Sequence, residues 1–365
     1  MHTYPIQNLI REGAKTGRRN TIFGAASILF LLFLPACQSA SPERTITLMT
    51  HDSFAVSESV LRQFEESTGA KVIVLESGDA GAALNKAILT KQAPLADVFY
   101  GVDNTFLSRA LQENIFEPYA SPMLENISTQ YRLDPENRAL PVDFGDVCIN
   151  YDREWFSSQP LAVPQTLEEL ALPAYEGLLA VENPYTSSPG LAFLLATVAH
   201  FGPEGFPEYW EALKANKTVV VDGWETAYYT NFSALSGKGP QPMVVSYASS
   251  PAFEFIYADP PRDEPPTASL TGPDMCFRQI EFAGILAGTA NRDLAEKLVD
   301  FLLSIPFQED IPLQMAVFPV KAQAALPDAF IRFAPLPEQP AVLAPDEITA
   351  HREEWMETWK EIMLP

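Results

Sequence analysis

The sequence predicts an α/β protein whose strands and helices alternate in two successive blocks, so that two lobes are expected. The chain has 365 residues, enough for two domains, and 47% of them are hydrophobic, enough to form substantial cores. Short apolar runs typical of strands alternate with apolar residues at helical spacing, as in mostly parallel sheets covered by helices. In such sheets, ligands bind at the loops that leave the carboxyl ends of the strands.

The first block reads as a βαβαβ unit. We predict its three strands at residues 45–50, 72–75 and 96–102, where apolar residues cluster. One helix carries apolar residues from Val56 to Phe64 and ends at Gly69. The second helix is predicted at 80–91, and a third begins at Asn104.

The second block repeats the alternation with more elements. Its predicted strands are 142–145, 147–151, 178–181, 218–221 and 243–247. Its predicted helices are 188–200, 206–216 and 224–235. A Pro-rich segment at 260–273 precedes a long strand at 276–286. The remainder predicts a helix around Leu294 and Leu298, a short strand at 316–320, and a charged terminal helix with Trp355 and Trp359.

The N-terminus has the layout of an export signal. Its first 20 residues carry four basic side chains against one acidic side chain, and a mostly apolar run follows at 21–36. The run stops at Leu34-Pro35-Ala36-Cys37, which resembles the lipobox of bacterial lipoproteins. We therefore predict a signal peptide at 1–36, a lipid on Cys37 and a tether at 37–44. Cleavage without lipidation is the alternative, and export by the Sec or the twin-arginine route is open.

The charge balance indicates which ligands suit the protein. Lys and Arg number 24 against 47 Asp and Glu, a balance that repels nucleic acids and favours neutral or cationic ligands. The sequence has no P-loop, no Gly-x-Ser-x-Gly elbow and no Gly-x-Gly-x-x-Gly fingerprint. No cluster of His, Cys or carboxylate residues has metal-site spacing. We therefore predict a protein that is not an enzyme and that needs no cofactor or metal.

Six motifs occur in an order and spacing that point to one family. They are HDSF at 51–54, ADV at 96–98 with GVDN at 101–104, VDFG at 142–145, NPYTSSPG at 183–190, GWETAY at 223–228 and SYASSPAF at 246–253. Together they resemble the thiamine-binding proteins of bacterial ABC importers, which have the type II periplasmic binding fold. The resemblance runs from about residue 45 to 360.

The resemblance implies a two-lobed fold in which crossover strands form a hinge. Lobe 1 would comprise 45–142 with 284–320, and lobe 2 would comprise 143–283. Residues 321–365 would form a C-terminal helical segment that packs on the lobes. The protein would be a monomer outside the cytoplasm, periplasmic or extracytoplasmic, anchored to the membrane by its lipid and partnered by the permease of an ABC transporter.

The resemblance also implies a ligand and the residues that contact it. Thiamine or a thiamine phosphate would lie between the lobes, with Trp224 and Tyr247 around its thiazolium cation. The turn at Ser187 and Ser188 opens a helix and suits a hydroxyl or phosphate tail. The full set of expected ligand contacts is Asp52, Asp79, Ala80, Ser187, Ser188, Trp224, Tyr247, Ala248, Ser249, Ser250 and Phe253.

The chain departs from the family at several aromatic positions. His51 stands where Tyr is common, Val56-Ser57 where Trp occurs, and Ala316 where another ring is usual. A thinner aromatic box bears on the affinity and on the favoured form of the ligand.

Three alternatives stay open. Thiaminase I shares the fold and cleaves thiamine with a Cys, which Cys148 would match, with Glu281 on the other crossover strand. A second alternative is a binding protein for a polyamine, and a third is one for ferric iron, for which the adjacent Tyr228 and Tyr229 are candidates. The resemblance places Cys148 and Cys276 on neighbouring crossover strands, as a disulfide or as two thiols.

Overall fold

The computed structural model describes residues 44–236 and 239–364. The predicted signal peptide, Cys37 and the tether up to residue 43 lie outside the described residues. Within the described part, no helix combines the length and apolar character needed to cross a membrane.

A single mixed sheet organises the described residues. Its strands run in the order β2-β1-β3-β10-β5-β8-β6-β7, with β4 paired to β10 and both β9 and β11 paired to β5. The strands are β1 (Arg44–Thr50), β2 (Ala70–Glu76), β3 (Val98–Asp103), β4 (Phe116–Glu117), β5 (Leu140–Asp152), β6 (Leu179–Glu182), β7 (Val219–Val221), β8 (Met243–Tyr247), β9 (Thr267–Leu270), β10 (Phe277–Leu286) and β11 (Phe318–Pro319).

Helices connect most of these strands. They are α1 (Glu58–Thr68), α2 (Ala80–Leu89), α3 (Leu107–Gln112), α4 (Arg153–Ser158), α5 (Leu167–Leu170), α6 (Ser188–Ala215), α7 (Trp224–Thr226), α8 (Ser233–Ser236), α9 (Ser250–Ile256), α10 (Arg292–Leu302), α11 (Ile305–Gln314), α12 (Asp328–Phe333) and α13 (Pro345–Met363).

Two parallel halves of the sheet meet at a pair of long antiparallel strands. In the first half, β1 pairs in parallel with β2 and β3. In the second half, β6 pairs in parallel with β7 and β8. Between them, β10 runs antiparallel to β3 and to β5, and β5 runs antiparallel to β8. This arrangement confirms the predicted α/β class with two lobes and crossover strands.

The termini of several elements follow directly from local sequence. Helix α1 ends at Gly69, whose φ of 66° is the left-handed conformation that glycine adopts without steric cost. Helix α2 begins after Asp79, whose side chain accepts a hydrogen bond from the Ala80 N–H. Both boundaries match the predicted ones to within a few residues.

Several elements differ from the predicted pattern. The helices predicted at 188–200 and 206–216 form one helix, α6, which is interrupted at Gly202 (φ 75°). The helix predicted at 224–235 is divided into α7, a π-helical turn at Ala227–Asn231, and α8. Further elements, among them α4, α5, α11, β4 and β9, occur where no helix or strand is predicted.

The C-terminal helix α13 packs on helix α6. The Trp359 and Trp210 rings meet edge to face at 5.8 Å. Both indoles are fully buried, and together they form part of the main apolar core. Through this contact the terminal helix α13 contributes to the main apolar core.

Candidate functional site

The predicted ligand-binding residues lie at the carboxyl ends of five strands. Asp52 follows β1, Asp79 follows β2, Ser187 follows β6, Trp224 follows β7, and Tyr247 is the last residue of β8. The first two belong to the β1–β3 half of the sheet and the other three to the β6–β8 half. The topology therefore brings residues that are far apart in sequence to one cleft, as expected for an α/β sheet.

Asp79 connects the two halves across this cleft. One carboxylate oxygen accepts a hydrogen bond from the Ala80 N–H at 2.6 Å, and the other accepts one from the Trp224 N–H at 3.0 Å. Burial raises the pKa of the Asp79 carboxyl above its ordinary value, against the effect of these donors and with help from the nearby Asp52. A positive charge next to Asp79 would therefore stabilise its ionised form.

The Trp224 indole forms the aromatic wall of the site. One face stacks on the Tyr228 ring at 4.9 Å with an interplanar angle of 18°, and the indole N–H donates to the Ser246 hydroxyl at 2.9 Å. Tyr228 is held in turn, because its hydroxyl donates to the buried Glu254. Tyr247 lies 6.4 Å from Trp224, inclined by 62°. A rigid, partly exposed indole of this kind suits a delocalised cation.

Ser187 and Ser188 lie at the start of α6 and are buried. The Ser187 hydroxyl lies beside the Asp79 carboxylate, whose pKa it lowers. Glu182, at the end of β6, is buried too, and neither of its carboxylate oxygens has a partner. Burial raises the pKa of Glu182 well above its ordinary value, and the charge of Asp79 adds to the shift. This corner of the site is polar and short of hydrogen-bond donors.

The side chains that follow Tyr247 make contacts within the protein. Ala248 packs against the sulfur atoms of Cys148 and Cys276, and the Ser249 hydroxyl donates to the Ala316 carbonyl. The Ser250 and Ser246 hydroxyls are 3.1 Å apart. Phe253 packs on Tyr257, with 4.7 Å between ring centroids. Of this motif, the Ser246 and Tyr247 side chains are the ones that lie beside Trp224.

A buried ionisable network underlies the site and was not assigned from the sequence. The His51 Nε2 atom lies 3.5 Å from a Glu281 carboxylate oxygen. The Tyr100 hydroxyl lies 3.1 Å from the other Glu281 oxygen and also contacts Asp143. These residues come from β3, β5, β10 and the loop after β1. Asp143 in an apolar strand is the signal that could have revealed the network, since buried acids require partners.

The charges within this network are unequal. Burial raises the pKa of Asp143 well above its ordinary value, and the neighbouring Glu281 charge adds to the effect. For Glu281, burial acts in the same direction, but the positive charge of His51 outweighs it and the pKa is lowered. Burial also raises the pKa of Asp103 to about 7, although Thr105 donates to it. Glu281 is therefore the ionised acid that faces His51.

Cys148 and Cys276 are joined by a disulfide. Strands β5 and β10 pair Val147 with Phe277, so the adjacent Cys residues stand opposite each other, with 4.3 Å between Cα atoms. Both side chains are fully buried. Cys148 is consequently not a thiol in this structure.

The two tyrosines considered for iron do not share an environment. Tyr228 is buried between Trp224 and Phe232, whereas Tyr229 is 39% exposed. Their rings are inclined by 89°. Among residues 44–236 and 239–364, no group of three or more His, Cys, Asp or Glu side chains could hold a metal ion.

Comparison with known proteins gives consistent matches over most of the chain. A family described as bacterial extracellular solute-binding proteins matches residues 93–336. The thiamine-binding periplasmic protein of Brucella suis biovar 1 (strain 1330) is 29% identical over 327 residues, which are 88% of this chain and 92% of that protein. The protein of the same description from Salmonella typhimurium (strain LT2) is 28% identical over 334 residues, covering 90% and 96%.

The fold has a similarly extensive match among solved structures. A structure described as a periplasmic thiamin binding protein superimposes with a TM-score of 0.77 and 27% sequence identity. The match covers 88% of this chain and 97% of that chain. The type II periplasmic binding fold implied by the six motifs is thus confirmed.

Proposed function

Because the chain belongs to the family of bacterial extracellular solute-binding proteins, we propose that it captures thiamine or a thiamine phosphate and delivers it to an ABC importer. The observation that carries this proposal is the pairing of Asp79 with Trp224. The Asp79 carboxyl, whose pKa is raised by burial, accepts a hydrogen bond from the Trp224 backbone N–H. The Trp224 indole would turn one face to the ligand. A thiazolium cation would gain from both groups.

The proposed ligand contacts are the eleven residues named from the sequence. Trp224 and Tyr247 would hold the thiazolium, Asp79 would supply the balancing negative charge, and Ala80 would lie beside them. Ser187 and Ser188 would receive the hydroxyl or phosphate tail, since they open a long helix. Ala248 and Ser249 would contribute through their backbone, because their side chains are engaged elsewhere.

We propose that the lobes divide at the two crossover strands. Lobe 1 would comprise 45–142 with 284–320, and lobe 2 would comprise 143–283, so that β5 and β10 each cross the boundary. The position of these strands between the two parallel halves of the sheet supports this division. Bending at β5 and β10 would open and close the cleft.

We further propose binding without cleavage. Thiamine cleavage of the thiaminase I type needs a reactive thiolate, and Cys148 is buried in a disulfide. Relatives described as binding proteins over nearly their whole length support the same conclusion. The protein would act as a monomer and without a cofactor.

The remaining part of the proposal concerns Cys37 and the membrane. A lipid on Cys37 would hold the exported protein at the membrane surface, with the permease of the importer beside it. Cys37→Ser should release the protein into the soluble fraction. Retention of this variant as an integral membrane protein would contradict the lipoprotein assignment.

Native mass spectrometry of the protein purified from cells tests the proposed ligand. A high-affinity binding protein retains ligand through purification, so a mass increase equal to thiamine or a thiamine phosphate is expected. A retained polyamine or iron ion would contradict the proposal.

A further inference from the structure

His51 brings a positive charge into a cleft whose other ionisable groups are mostly acids. It follows β1, and its side chain is buried beside the ionised Glu281. Its ring also lies 5.7 Å from the Tyr100 ring. Gly101 makes room for the imidazole, because a Cβ atom at this position (φ 106°) would overlap the His51 ring. The imidazole is therefore held in place by packing and by charge.

Acidic groups face His51 from several elements. Glu281 comes from β10, Asp79 from the start of α2, Glu225 from α7, and Asp52 is the next residue in the chain. Burial alone lowers the pKa of His51, but the charges of Glu281, Asp79 and Asp52 outweigh burial and raise it. In the unliganded site His51 consequently keeps its proton to a higher pH than an ordinary histidine.

We infer that His51 is a competing cation, so that capture of a cationic ligand expels its proton. This inference rests on the proposed function, in which the thiazolium enters between Asp79 and Trp224. The His51 imidazolium and the thiazolium would be stabilised by the same acidic groups. Two like charges in a confined cleft also repel each other strongly. The neutral imidazole is the form compatible with the bound cation, and its Nε2 proton leaves to solvent.

The coupling has a definite sign. Below the pKa of His51 in the free protein, binding must remove a proton, and the affinity for the cation is reduced. As pH rises through this pKa, the dissociation constant should fall by up to about tenfold per pH unit and then level off. His51 thus determines both the selectivity for charged ligands and the pH range in which the protein captures them.

Calorimetric titration of thiamine into the protein purified from the cell envelope and freed of retained ligand tests the coupling. The titration is repeated from about pH 6 to about pH 9 in two buffers of different ionisation enthalpy, a range that spans an ordinary or raised histidine pKa. We expect tighter binding at higher pH, and a difference in heat between the buffers that reports proton release. An analogue with an uncharged ring in place of the thiazolium should bind without proton release.

Two variants assign the released proton. His51→Asn should remove most of the pH dependence, whereas the matched His200→Asn should retain it, because His200 pairs with Glu168 and Asp274 instead. A proton from Asp79 would also be released by a cation, but it would persist in His51→Asn. If His51→Asn does not fold, His51→Gln serves as the second variant, and the absence of proton release from the unchanged protein would still overturn the role of His51.

The possible failures are distinguishable. Thiamine binding with a flat pH profile and no proton release would overturn the role of His51 and leave the proposed function intact. Persistence of the full pH dependence in His51→Asn would also overturn it. Absence of thiamine binding at every pH would overturn the proposed function, and the inference with it.

Discussion

Gly81 lies so close to Tyr185 that a Cβ atom on Gly81 would be 2.9 Å from the Tyr185 carbonyl oxygen. The next residue, Ala82, donates its N–H to the Thr186 carbonyl at 3.3 Å. These contacts join the first turn of α2, in one half of the sheet, to the loop before α6, in the other half. They lie beside the hydrogen bond from Trp224 to Asp79. This close approach of α2 to the loop before α6 therefore requires a residue without a side chain at position 81.

Gly81→Ala should weaken ligand binding without unfolding the protein. Alanine is favoured over glycine in helices by about 0.5–1 kcal/mol, so the open protein should be at least as stable as before. The added methyl group would meet backbone atoms across the cleft and oppose closure. We expect the dissociation constant for thiamine to rise at least about tenfold, which is about 1.4 kcal/mol, with no fall in Tm.

Gly205→Ala is the matched control for this variant. Gly205 lies in α6, where a Cβ atom would meet the Phe201 Cβ atom at 3.3 Å and nothing across the cleft. Its affinity should be that of the unchanged protein. Equal affinities for all three proteins would contradict the role of Gly81.

Trp224→Ala should reduce the affinity for thiamine by about 1–2 kcal/mol, the range of a cation–π contact in a site that excludes water. Thiamine should quench the fluorescence of the unchanged protein and quench the variant much less. Trp155 in α4 provides the control, because its indole packs against Phe156. Trp155→Phe should keep both the affinity and the quenching, whereas an unchanged affinity in Trp224→Ala would contradict the aromatic wall.

The disulfide between Cys148 and Cys276 should stabilise the folded protein. It closes a loop with a sequence separation of 128 residues, and loss of such a bridge costs about 2–5 kcal/mol. Replacing both residues by Ser should lower the free energy of unfolding in denaturant by this amount. Alkylation under native, non-reducing conditions should leave both sulfur atoms unlabelled, and rapid labelling of Cys148 would contradict the bridge.

The unchanged protein under native, non-reducing conditions also distinguishes thiamine binding from thiamine cleavage. After incubation with thiamine and a nucleophile such as aniline, we expect thiamine to be recovered intact. Recovery of separate pyrimidine and thiazole products would show that the protein is an enzyme of the thiaminase I type.

His200 should stabilise the fold at mildly acidic pH. Its ring nitrogens lie 2.8 Å from Glu168 and 3.0 Å from Asp274. Burial lowers the pKa of His200, but the two carboxylates outweigh burial and raise it. A group whose pKa is raised on folding stabilises the protein fully below its unfolded pKa of about 6.5, and this stabilisation disappears as pH rises through the folded pKa.

His200→Asn should therefore destabilise the protein by about 1 kcal/mol near pH 5.5, with the difference decreasing at higher pH. Denaturant unfolding at several pH values measures this. His351→Asn is the control, since His351 lies on the exposed face of α13 and its contact with Glu354 is open to solvent. A difference for His200→Asn that grows with pH would contradict the assigned sign.

Strong local patterns made much of the fold predictable. Local signals are the apolar residues from Val56 to Phe64 and the helix end at Gly69, and α1 agrees closely with both. Helix α11 was not predicted because it contains Pro306 and Pro312, and proline within a segment argues against a helix. Pro306 occupies the first turn, where proline is tolerated. Strand β9 escaped because it lies within a Pro-rich segment and forms only by pairing with β5.

The site was predictable where a motif carries it and obscure where tertiary contacts create it. Trp224 was named from a motif and Asp79 from its position in the family resemblance, and the structure brings them into direct contact. The ion pair of His51 and Glu281 joins residues 230 positions apart and has no local signature. Its discovery requires the order of β1, β3 and β10 in the sheet, which tertiary packing decides.

Calorimetric titration of thiamine into the protein lacking residues 1–37 is the most direct test of thiamine binding. We expect saturable binding of one thiamine per protein, far tighter than millimolar, with spermidine and ferric citrate unable to compete. No thiamine binding below millimolar concentrations, together with tight binding of spermidine or ferric citrate, would contradict it.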